Sequence, residues 1–393
     1  MMKTNPSFTF IDTPEALRAF AEDNADIDWL AFDTEFVGEK RYQTLLCLIQ
    51  VGTQNGDYII DPLAIDDLWP FLNMLSDPSI LVLTHAGEND YRLLEEQFGL
   101  IPKNLFDIQI AAGFCSYRYP ISYSKIVEAE LGDRVKKDYG VSNWEGRPIQ
   151  PEQLSYALND ILYLPGLYKS LLKKLEETGR VDWVRQELQI WESAEYYQRD
   201  PDKEILGNNL ISKLRPKQQI FLIRLLRWRD EVAREKNYSK EMVFSSKNMG
   251  NLIRAIPSGK KGLDNNRRLS DSVIKRHGDR FVDFYEREAT PEELGLIARL
   301  PDGPSENEEY ELILDMLYLM VKYRCLKEGI SVQLVFPRGE LNNMKSDPGY
   351  HSELLNTDWR KQFLGAEVLE WIQERERLEI NFGEGRIELS LRD

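Results

Sequence analysis

Residues 29–36 read WLAFDTEF, an apolar run that carries two acids, Asp33 and Glu35. The run is typical of a largely buried β-strand, in which alternate residues point to the same face, about 6 to 7 Å apart along the chain. Two ionised carboxylates side by side in such a strand are costly, because both lose water and each repels the other. A divalent cation offsets that cost, so the stretch predicts a metal site made of oxygen ligands.

Two further acids extend this predicted metal site. Asp90 ends the segment THAGEND at residues 84–90, and Asp160 ends the segment YALND at residues 156–160. Residues four apart share one face of a helix, so Tyr156 is expected to lie over Asp160. Both acids stand where an ionised side chain is expected only if it holds a cation.

The order of these residues resembles the DEDD superfamily of 3′-to-5′ exonucleases, in its tyrosine-bearing branch. The likeness runs continuously through residues 28–175 and weakens toward the C-terminus. The segments that carry it are residues 33–36, 48–51, 60–63, 85–87 with Asp90, 106–109, Trp144 with Arg147 and Pro148, and Tyr156 with Asp160. All four acids and the tyrosine are present, so the resemblance implies an active enzyme.

The resemblance also implies a role for each of these residues. Asp33 would bridge two divalent cations, Mg²⁺ or Mn²⁺, held ~4 Å apart. Glu35 and Asp160 would serve the cation of the attacking water, and Asp90 would hold the second cation largely through water. Tyr156 would orient that water or help to deprotonate it. A tyrosine with a pKa of ~10 is a poor base at neutral pH, so orientation is the expected role.

Four residues near these motifs are candidate substrate contacts, and three of them have a structural alternative. Phe36 would stack on the terminal base, since aromatic faces accept any base, or it is a core residue of the strand. His85 would contact the terminal nucleotide, or its ring is satisfied by the backbone. Lys137 and Trp144 would touch phosphate and base, although Trp144 could equally be a packing residue.

Composition bounds the size of the protein and its compartment but is silent on its chemistry. The 393 residues, 42% of them apolar, give room for two or three domains. Cys47, Cys115 and Cys325 are scattered and form no CxxC pair, which indicates neither a disulfide framework nor a zinc site. No run approaches the ~18 apolar residues of a membrane span, and no signal sequence begins the chain. A cytoplasmic protein is expected.

The net charge of −16 is unevenly distributed along the chain. Residues 1–202 hold 18 basic and 34 acidic residues, giving −16, and residues 289–393 hold 12 and 21, giving −9. Residues 203–288 hold 20 and 11, giving +9, with a dense basic cluster at Lys260, Lys261, Arg267 and Arg268 in a predicted loop. This module is expected to attract a phosphate backbone, although a solvated helix face gives the same count.

The first part of the chain has the pattern of an α/β nuclease domain, assigned to residues 1–202. Strands are predicted at residues 29–37, 44–52 and 58–60, with Asn55 and Gly56 as a tight turn. The gaps between these strands are too short for a crossover helix, so an antiparallel meander is expected. Alternating helix and strand then follow, with a helix that starts at Pro151 and carries Asp160. This is the pattern of an RNase H-like mixed sheet covered by helices, which the family resemblance also implies.

All-α HRDC-type domains are predicted to follow the nuclease domain. Residues 203–290 are similar to the small helical HRDC domain of RecQ-type helicases, and residues 291–393 form a second HRDC-like helical region. Residues 378–391, with alternating apolar positions around Gly383 and Gly385, instead predict a terminal β-hairpin. The family pattern assigns no role to that hairpin.

Taken with the resemblance, these features favour a 3′-5′ exoribonuclease that releases 5′-monophosphates from structured RNA such as tRNA precursors. A DNA exonuclease of the proofreading or helicase-associated type shares the four acids and is the nearest alternative. A catalytically inactive RNA-binding protein is a further alternative, against which the intact acid set argues. No motif identifies the sugar, because the contact to a 2′-hydroxyl has no signature of its own. The sequence leaves the oligomeric state open and favours a monomer.

Overall fold

The computed structural model describes residues 7–135, 142–198, 200–300, 307–383 and 385–392, without the side chains of residues 201, 382 and 387. The chain divides into two compact units. The first comprises Met1–Phe36, Leu46–Gln198 and Ser305–Asp393, and the second comprises Val37–Leu45 and Arg199–Pro304. These units follow spatial contacts, whereas the division at residues 202 and 290 was drawn from sequence and stays a prediction.

The elements follow one another along the chain as helices and short strands. The strands are β1 (Thr9–Ile11), β2 (Trp29–Val37), β3 (Leu45–Thr53), β4 (Gly56–Ile60), β5 (Leu81–Thr84), β6 (Leu105–Asp107), β7 (Leu378–Gly383) and β8 (Arg386–Leu391). The helices are α1 (Pro14–Asp23), α2 (Trp69–Ser76), α3 (Glu88–Phe98), α4 (Ile108–Gly113), α5 (Tyr123–Leu131), α6 (Pro151–Leu162), α7 (Leu164–Thr178), α8 (Val181–Gln189), α9 (Ala194–Tyr197), α10 (Pro201–Leu206), α11 (Pro216–Lys236), α12 (Lys240–Val243), α13 (Ser246–Ala255), α14 (Gly259–Asp264), α15 (Asp271–Glu286), α16 (Pro291–Ile297), α17 (Glu308–Glu328), α18 (Val332–Val335), α19 (Arg338–Ser346) and α20 (Asp358–Gln373). Short 3₁₀ turns lie at Ile190–Glu192, Ile211–Lys213, Ile256–Ser258, Leu354–Asn356 and Arg375–Arg377.

The first unit contains a six-stranded mixed sheet in the order β1-β4-β3-β2-β5-β6. The β3–β4 pair is antiparallel, and the β1–β4, β2–β5 and β5–β6 pairs are parallel. The predicted α/β class and mixed sheet are therefore confirmed. The predicted turn at Asn55 and Gly56 is wrong by one position: Gly56 already pairs with Thr53, so Gln54 and Asn55 form the turn.

Helix α6 begins at Pro151, as predicted, and ends before Pro165. Pro151 needs no hydrogen-bond partner for its nitrogen, and the Gln153 side chain accepts a hydrogen bond from the Gln150 backbone nitrogen at 3.2 Å. The buried residues Ala157, Leu158 and Ile161 face the core. This face fixes the rotation of the helix and therefore the direction of Asp160.

The C-terminal residues share the first unit with the nuclease residues. Backbone hydrogen bonds run from Ser116 to Gly329 and from Ser331 to Gly113, each at 2.8 Å. The predicted terminal hairpin is also present, as the antiparallel pair β7–β8. The C-terminal region therefore contributes to the core of the first unit.

The second unit is helical around the long helix α11. Its buried core includes Phe221, Leu222, Leu225 and Trp228 of α11, with apolar residues of α13 and α15. The buried guanidinium of Arg224 donates to both carboxylate oxygens of Glu293, at 2.6 and 2.7 Å, which anchors α16. The predicted all-α architecture of this segment is confirmed.

Membrane insertion by a helix is not indicated in the part of the chain that the structure describes: none of its helices is long and apolar enough to cross a bilayer.

Candidate active site

Strand β2 and helix α6 bring three of the predicted metal ligands together. Asp33 and Glu35 project from β2 and Asp160 from α6, and one carboxylate oxygen of each lies within 4.8 Å of those of the other two. All three side chains are half-buried, so a cation can reach them from solvent. Two sequence features predicted this cluster: the placement of Asp33 and Glu35 two residues apart on a strand, and the place of Asp160 on one face of helix α6.

The electrostatics of the cluster reflect burial and mutual repulsion. Burial, and then the charge of Asp160, raises the pKa of Asp33 to about 8. Burial, and then the charges of Asp33 and Asp160, raises the pKa of Glu35 to about 9. Burial raises the pKa of Asp160 to about 7. Without a counter-charge, the cluster therefore retains protons at neutral pH that isolated carboxylates would release.

The donor set fits a divalent cation. Three carboxylates supply oxygen atoms, the ligands that Mg²⁺ and Mn²⁺ prefer, and a cation would replace the retained protons. Among the described residues, Asp33, Glu35 and Asp160 form the acidic group whose oxygens lie close enough together to hold a metal ion.

Asp90 lies in the first turn of α3 and is buried. Its carboxylate accepts a short hydrogen bond from the Thr34 hydroxyl, which stands between the two acids of β2 in sequence. Burial, and then the charge of Asp33, raises the pKa of Asp90. Asp90 is therefore electrostatically coupled to the cluster but is not among the three residues whose oxygens converge.

Asp107 is a supporting residue whose role the sequence did not reveal. Its side chain is fully buried and accepts hydrogen bonds from the backbone nitrogen of Gly87 at 2.8 Å and from Gln109 at 2.7 Å. It thereby joins the start of α4 to the turn that leads into α3. The segment 106–109 was part of the family likeness, but only the tertiary fold shows what this carboxylate holds.

Tyr156 is half-buried and one helical turn before Asp160. Burial, and then the charges of Asp160 and Glu35, raises the pKa of Tyr156 to about 12. Its ring lies 6.3 Å from the ring of Trp144, which is buried. Trp144 thus packs in the core beside Tyr156, and its predicted contact with a base stays a prediction.

The other predicted substrate contacts are dispersed around the cluster. The ring of Phe36 is 39% exposed, as a stacking surface for a base requires. The Nε2 atom of His85 lies 3.1 Å from the carbonyl oxygen of Ile121, so the backbone satisfies it. Lys137 lies outside the described residues.

The basic cluster of the second unit is only partly in a loop. Lys260 and Lys261 lie in helix α14, so the loop prediction is wrong for these two residues. Lys260 also pairs with Asp279 at 2.7 Å. Arg267 and Arg268 follow α14 and line a cavity with Arg254. Lys260 and Asp279 are 19 residues apart, so no local sequence pattern predicted that they pair.

Two segments of the chain match known domain families. Residues 8–176 match a 3′-5′ exonuclease family, and residues 219–285 match the HRDC domain family. With the convergent acids of β2 and α6, these matches define the chain as a 3′-5′ exonuclease that carries an HRDC domain.

Similarity to whole proteins extends over almost the full length. Ribonuclease D of Acidiphilium cryptum is 26% identical over 383 residues, with 94% of each chain covered. Ribonuclease D of Zymomonas mobilis is 28% identical, with 93% of each chain covered. The crystal structure of Escherichia coli RNase D superposes with a TM-score of 0.82 at 26% identity, covering 94% of this chain and 99% of that one. The chain is thus similar to ribonuclease D over almost its full length.

Proposed function

We propose that the chain is a 3′-5′ exoribonuclease that removes terminal nucleotides as 5′-monophosphates from structured RNA, tRNA precursors among them. The observation that carries this proposal is the convergence of Asp33, Glu35 and Asp160, with Tyr156 one turn away. Escherichia coli RNase D, a similar protein of known structure, is an exoribonuclease involved in structured RNA processing, which supports RNA as the substrate.

Four acids would hold two divalent cations, Mg²⁺ or Mn²⁺. Asp33, Glu35 and Asp160 would supply the converging oxygens, and Asp90 would complete the set beside Thr34. When bound, the cations would supply the charge that stabilises the attacking and leaving oxygens of the phosphodiester. The family resemblance assigns Asp33 to both cations, and the charge of Asp33 acts on Asp90 while the charge of Asp160 acts on Asp33.

The reaction is hydrolysis of the terminal phosphodiester. A water oxygen attacks phosphorus, the bond from phosphorus to the 3′ oxygen breaks, and that oxygen leaves with a proton. Tyr156 would hydrogen-bond to the attacking water and orient it. Burial and the charges of Asp160 and Glu35 raise the pKa of Tyr156 to about 12, which favours a protonated phenol that orients the water over one that removes its proton.

The substrate end would be bound at the rim of the cluster. The exposed ring of Phe36 directly follows the acids of β2 and can stack on the terminal base. His85, Lys137 and Trp144 are retained as lower-ranked candidates for contact with the terminal nucleotides. The charge of +9 in residues 203–288 would attract the body of a long RNA.

The test compares matched 3′-tailed RNA and DNA strands, labelled at the 5′ end, with Mg²⁺ or with chelator. The expected result is stepwise shortening of RNA from its 3′ end, only with metal and with release of 5′-monophosphates. Asp33→Asn is the matched inactive control, expected to lower turnover by several orders of magnitude while leaving the thermal melt cooperative. Shortening of DNA alone would favour the DNA exonuclease, and cleavage by Asp33→Asn at the wild-type rate would refute the site.

A further inference from the structure

A cavity of about 620 Å³ lies in the first unit, beside the segment that contains Tyr119 and the helices α17 and α18. The charged side chains that line it are Arg118, Lys322, Arg338, Arg360 and Glu187. Glu187 is already neutralised, because its carboxylate accepts hydrogen bonds from Arg360 at 2.8 Å and from the indole of Trp359 at 2.9 Å. The cavity therefore has an excess of positive charge.

Three of these cations are available to a ligand. Arg118, Lys322 and Arg338 are exposed, and none of them has a carboxylate partner among the residues that the structure describes. Two of the three lie in residues 289–393, a segment with a net charge of −9. Unpaired cations around one cavity of an acidic segment are the arrangement that attracts an anion.

The walls of the cavity match the rest of a nucleotide. Tyr119, which is half-buried, contributes aromatic surface with the exposed Pro120 beside it, whereas Tyr318 and Leu334 are buried behind the wall. The guanidinium of Arg338 lies 5.7 Å from the centre of the Tyr318 ring. Cations next to aromatic faces are the combination by which single-stranded nucleic acid is held, through phosphate contacts and base stacking.

One segment of the cavity wall continues to a residue that hydrogen-bonds to His85. Its wall residue Pro120 precedes Ile121, whose carbonyl oxygen lies 3.1 Å from Nε2 of His85 and accepts a hydrogen bond from Gln109 at 3.0 Å. The other wall is fixed to this segment, since the Tyr119 backbone nitrogen donates to the Ser331 hydroxyl at 3.1 Å. Hydrogen bonds thus connect the segment that lines the cavity with His85, in the segment before Asp90.

We propose that this cavity is a subsite for the RNA strand upstream of the 3′ end, where Arg118, Lys322 and Arg338 contact phosphates and Tyr119 contacts a base. The proposal rests on the exoribonuclease function and adds a second contact region for its substrate. It places part of the electrostatic capture of RNA in the acidic unit, in addition to the basic module.

The test uses the variant with Arg118→Glu, Lys322→Glu and Arg338→Glu, and single-stranded RNAs of about 4 and about 16 nucleotides. Binding is measured in chelator at several salt concentrations, and cleavage is measured with Mg²⁺. We expect affinity for the long RNA to fall at least about tenfold, with a salt slope shallower by about 2, because three phosphate contacts are lost. The kcat and KM for the short RNA should be unchanged.

A matched control carries Arg18→Glu, Lys169→Glu and Lys173→Glu, which change the charge of the same unit by the same amount at other exposed positions. An equal loss of affinity for the long RNA in both variants, or no loss in the first variant, would overturn the proposed subsite. Inorganic phosphate that stabilises the wild type but not the first variant, with RNA affinity unchanged, would show a small-anion site instead. If the wild type cleaved neither RNA, the proposed function would be refuted, and the subsite proposal that rests on it would fail as well.

A second, independent observation concerns Gln50 of β3. Its side chain is fully buried, and neither its amide nitrogen nor its amide oxygen has a hydrogen-bond partner among the residues that the structure describes. A buried amide without partners is costly, and such groups in native proteins are explained by a ligand, a water or an ion nearby.

Strand geometry locates Gln50 opposite Asp33. β2 and β3 are neighbours in the sheet, and residues 38–44 between them are too few for a crossover, so the two strands are antiparallel. A Cβ atom added to Gly52 would lie 3.7 Å from Cβ of Ala31, which sets these two residues side by side. Two residues further along each strand, in opposite directions, are Gln50 and Asp33, whose Cβ atoms are expected about 5 Å apart on the same face.

We infer that Gln50 is a positioning residue for the metal site: its amide donates a hydrogen bond to the ionised Asp33 carboxylate and turns the oxygens toward the cation. Hydrogen bonds from neighbouring side chains fix the orientation of ligating carboxylates and strengthen metal binding. The Asp33 carboxylate would also give the buried amide nitrogen of Gln50 the acceptor that it lacks.

The test measures Mn²⁺ binding to the Gln50→Leu variant by titration calorimetry. This measurement does not depend on catalytic turnover. We expect the dissociation constant of Mn²⁺ to rise about tenfold or more, whereas the thermal midpoint in chelator stays equal or rises because an unpaired amide is gone. The control is Ile49→Val on the opposite face of β3, which should lower the thermal midpoint and leave Mn²⁺ affinity unchanged. Wild-type Mn²⁺ affinity in Gln50→Leu would overturn the inference.

Discussion

Arg147 donates two parallel hydrogen bonds to the carboxylate of Asp61, at 2.6 Å from Nε to Oδ2 and 2.7 Å from Nη2 to Oδ1. The same guanidinium donates to the carbonyl oxygens of Cys47 at 2.7 Å and Trp144 at 2.8 Å. Asp61 directly follows β4, and Arg147 precedes α6 by a few residues. This ion pair therefore ties the segment that leads to Tyr156 and Asp160 to the sheet.

Arg147→Ala is expected to lower the free energy of unfolding by about 2–4 kcal/mol, because it leaves the buried Asp61 carboxylate without a partner. Turnover should fall as well, since the segment before α6 loses its anchor. Arg147→Lys should have a smaller effect on stability, because charge remains while the bidentate geometry is lost. Thermal melts and single-turnover cleavage rates measure both effects.

The control for this prediction is Arg18→Ala, which breaks an exposed pair with Glu15 in the same unit. It should leave the melt unchanged, because exposed ion pairs contribute little to stability. A melt for Arg147→Ala that coincides with that of Arg18→Ala would show that the Asp61 pair has no structural role.

Metal dependence and pH are coupled through the acid cluster. Asp33, Glu35 and Asp160 have folded pKa values of about 8, 9 and 7, above the ~4 of unfolded carboxyl groups. Raised pKa values mean that the folded protein binds more protons than the unfolded chain, so this stabilisation is complete below pH ~4 and is lost as pH rises through 7 to 9.

In chelator, the thermal midpoint is therefore expected to fall between pH 6 and pH 9. Mg²⁺ should raise that midpoint, and more at pH 9 than at pH 6, because protons compete with the cation for the same oxygens. The double variant Asp33→Asn, Glu35→Gln should flatten the chelator curve and abolish the shift by Mg²⁺. A shift by Mg²⁺ that is constant across this range would contradict the assigned cluster.

Tyr156→Phe should lower kcat about 10- to 1000-fold with little change in thermal midpoint or RNA affinity. The phenol is proposed to act only on the attacking water, and the substitution retains the ring that lies beside Trp144. The matched control is Tyr168→Phe, whose ring packs against Phe106, and it should keep wild-type kcat. If Tyr156→Phe instead lowered stability and left kcat intact, the residue would belong to the core alone.

Local pattern predicted the elements of this protein and the acids that they carry. The strand period of two placed Asp33 and Glu35 on one face, and the proline at position 151 marked the start of α6. The resulting cluster of Asp33, Glu35 and Asp160 is present in the structure. Short-range geometry was sufficient for these predictions, because each depends on spacing within a single element.

Contacts between residues far apart in the chain could not be predicted from the sequence. Asp61 and Arg147 are 86 residues apart, and no local period links them. Lys260 was expected in a loop, but it lies in a helix and pairs with Asp279. Gln50 is one polar residue in an apolar strand, and its place opposite Asp33 is inferred from the pairing of β3 with β2 and not from local pattern. Such contacts depend on which elements pack together, so a single sequence does not reveal them.

The basic cluster of the second unit gives the last prediction. Lys261, Arg267 and Arg268 are the available cations of the predicted set, since Lys260 is already paired with Asp279. Arg267 and Arg268 line a cavity of about 520 Å³ with Arg254 and several polar residues. Reversal of Lys261, Arg267 and Arg268 to glutamate should weaken binding of long RNA and flatten its salt dependence by about 2 in slope.

Cleavage of a short unstructured oligonucleotide should continue in this variant, because the acid cluster and Tyr156 are unchanged. The control reverses Lys203, Lys213 and Lys247, which are exposed cations elsewhere in the same unit, so that the change in net charge is equal. A larger loss of affinity in the first variant would assign RNA capture to the cluster at residues 261–268. Equal losses would mean that only the summed charge of the module matters, and unchanged isotherms in both variants would leave the helical unit without a role in RNA binding.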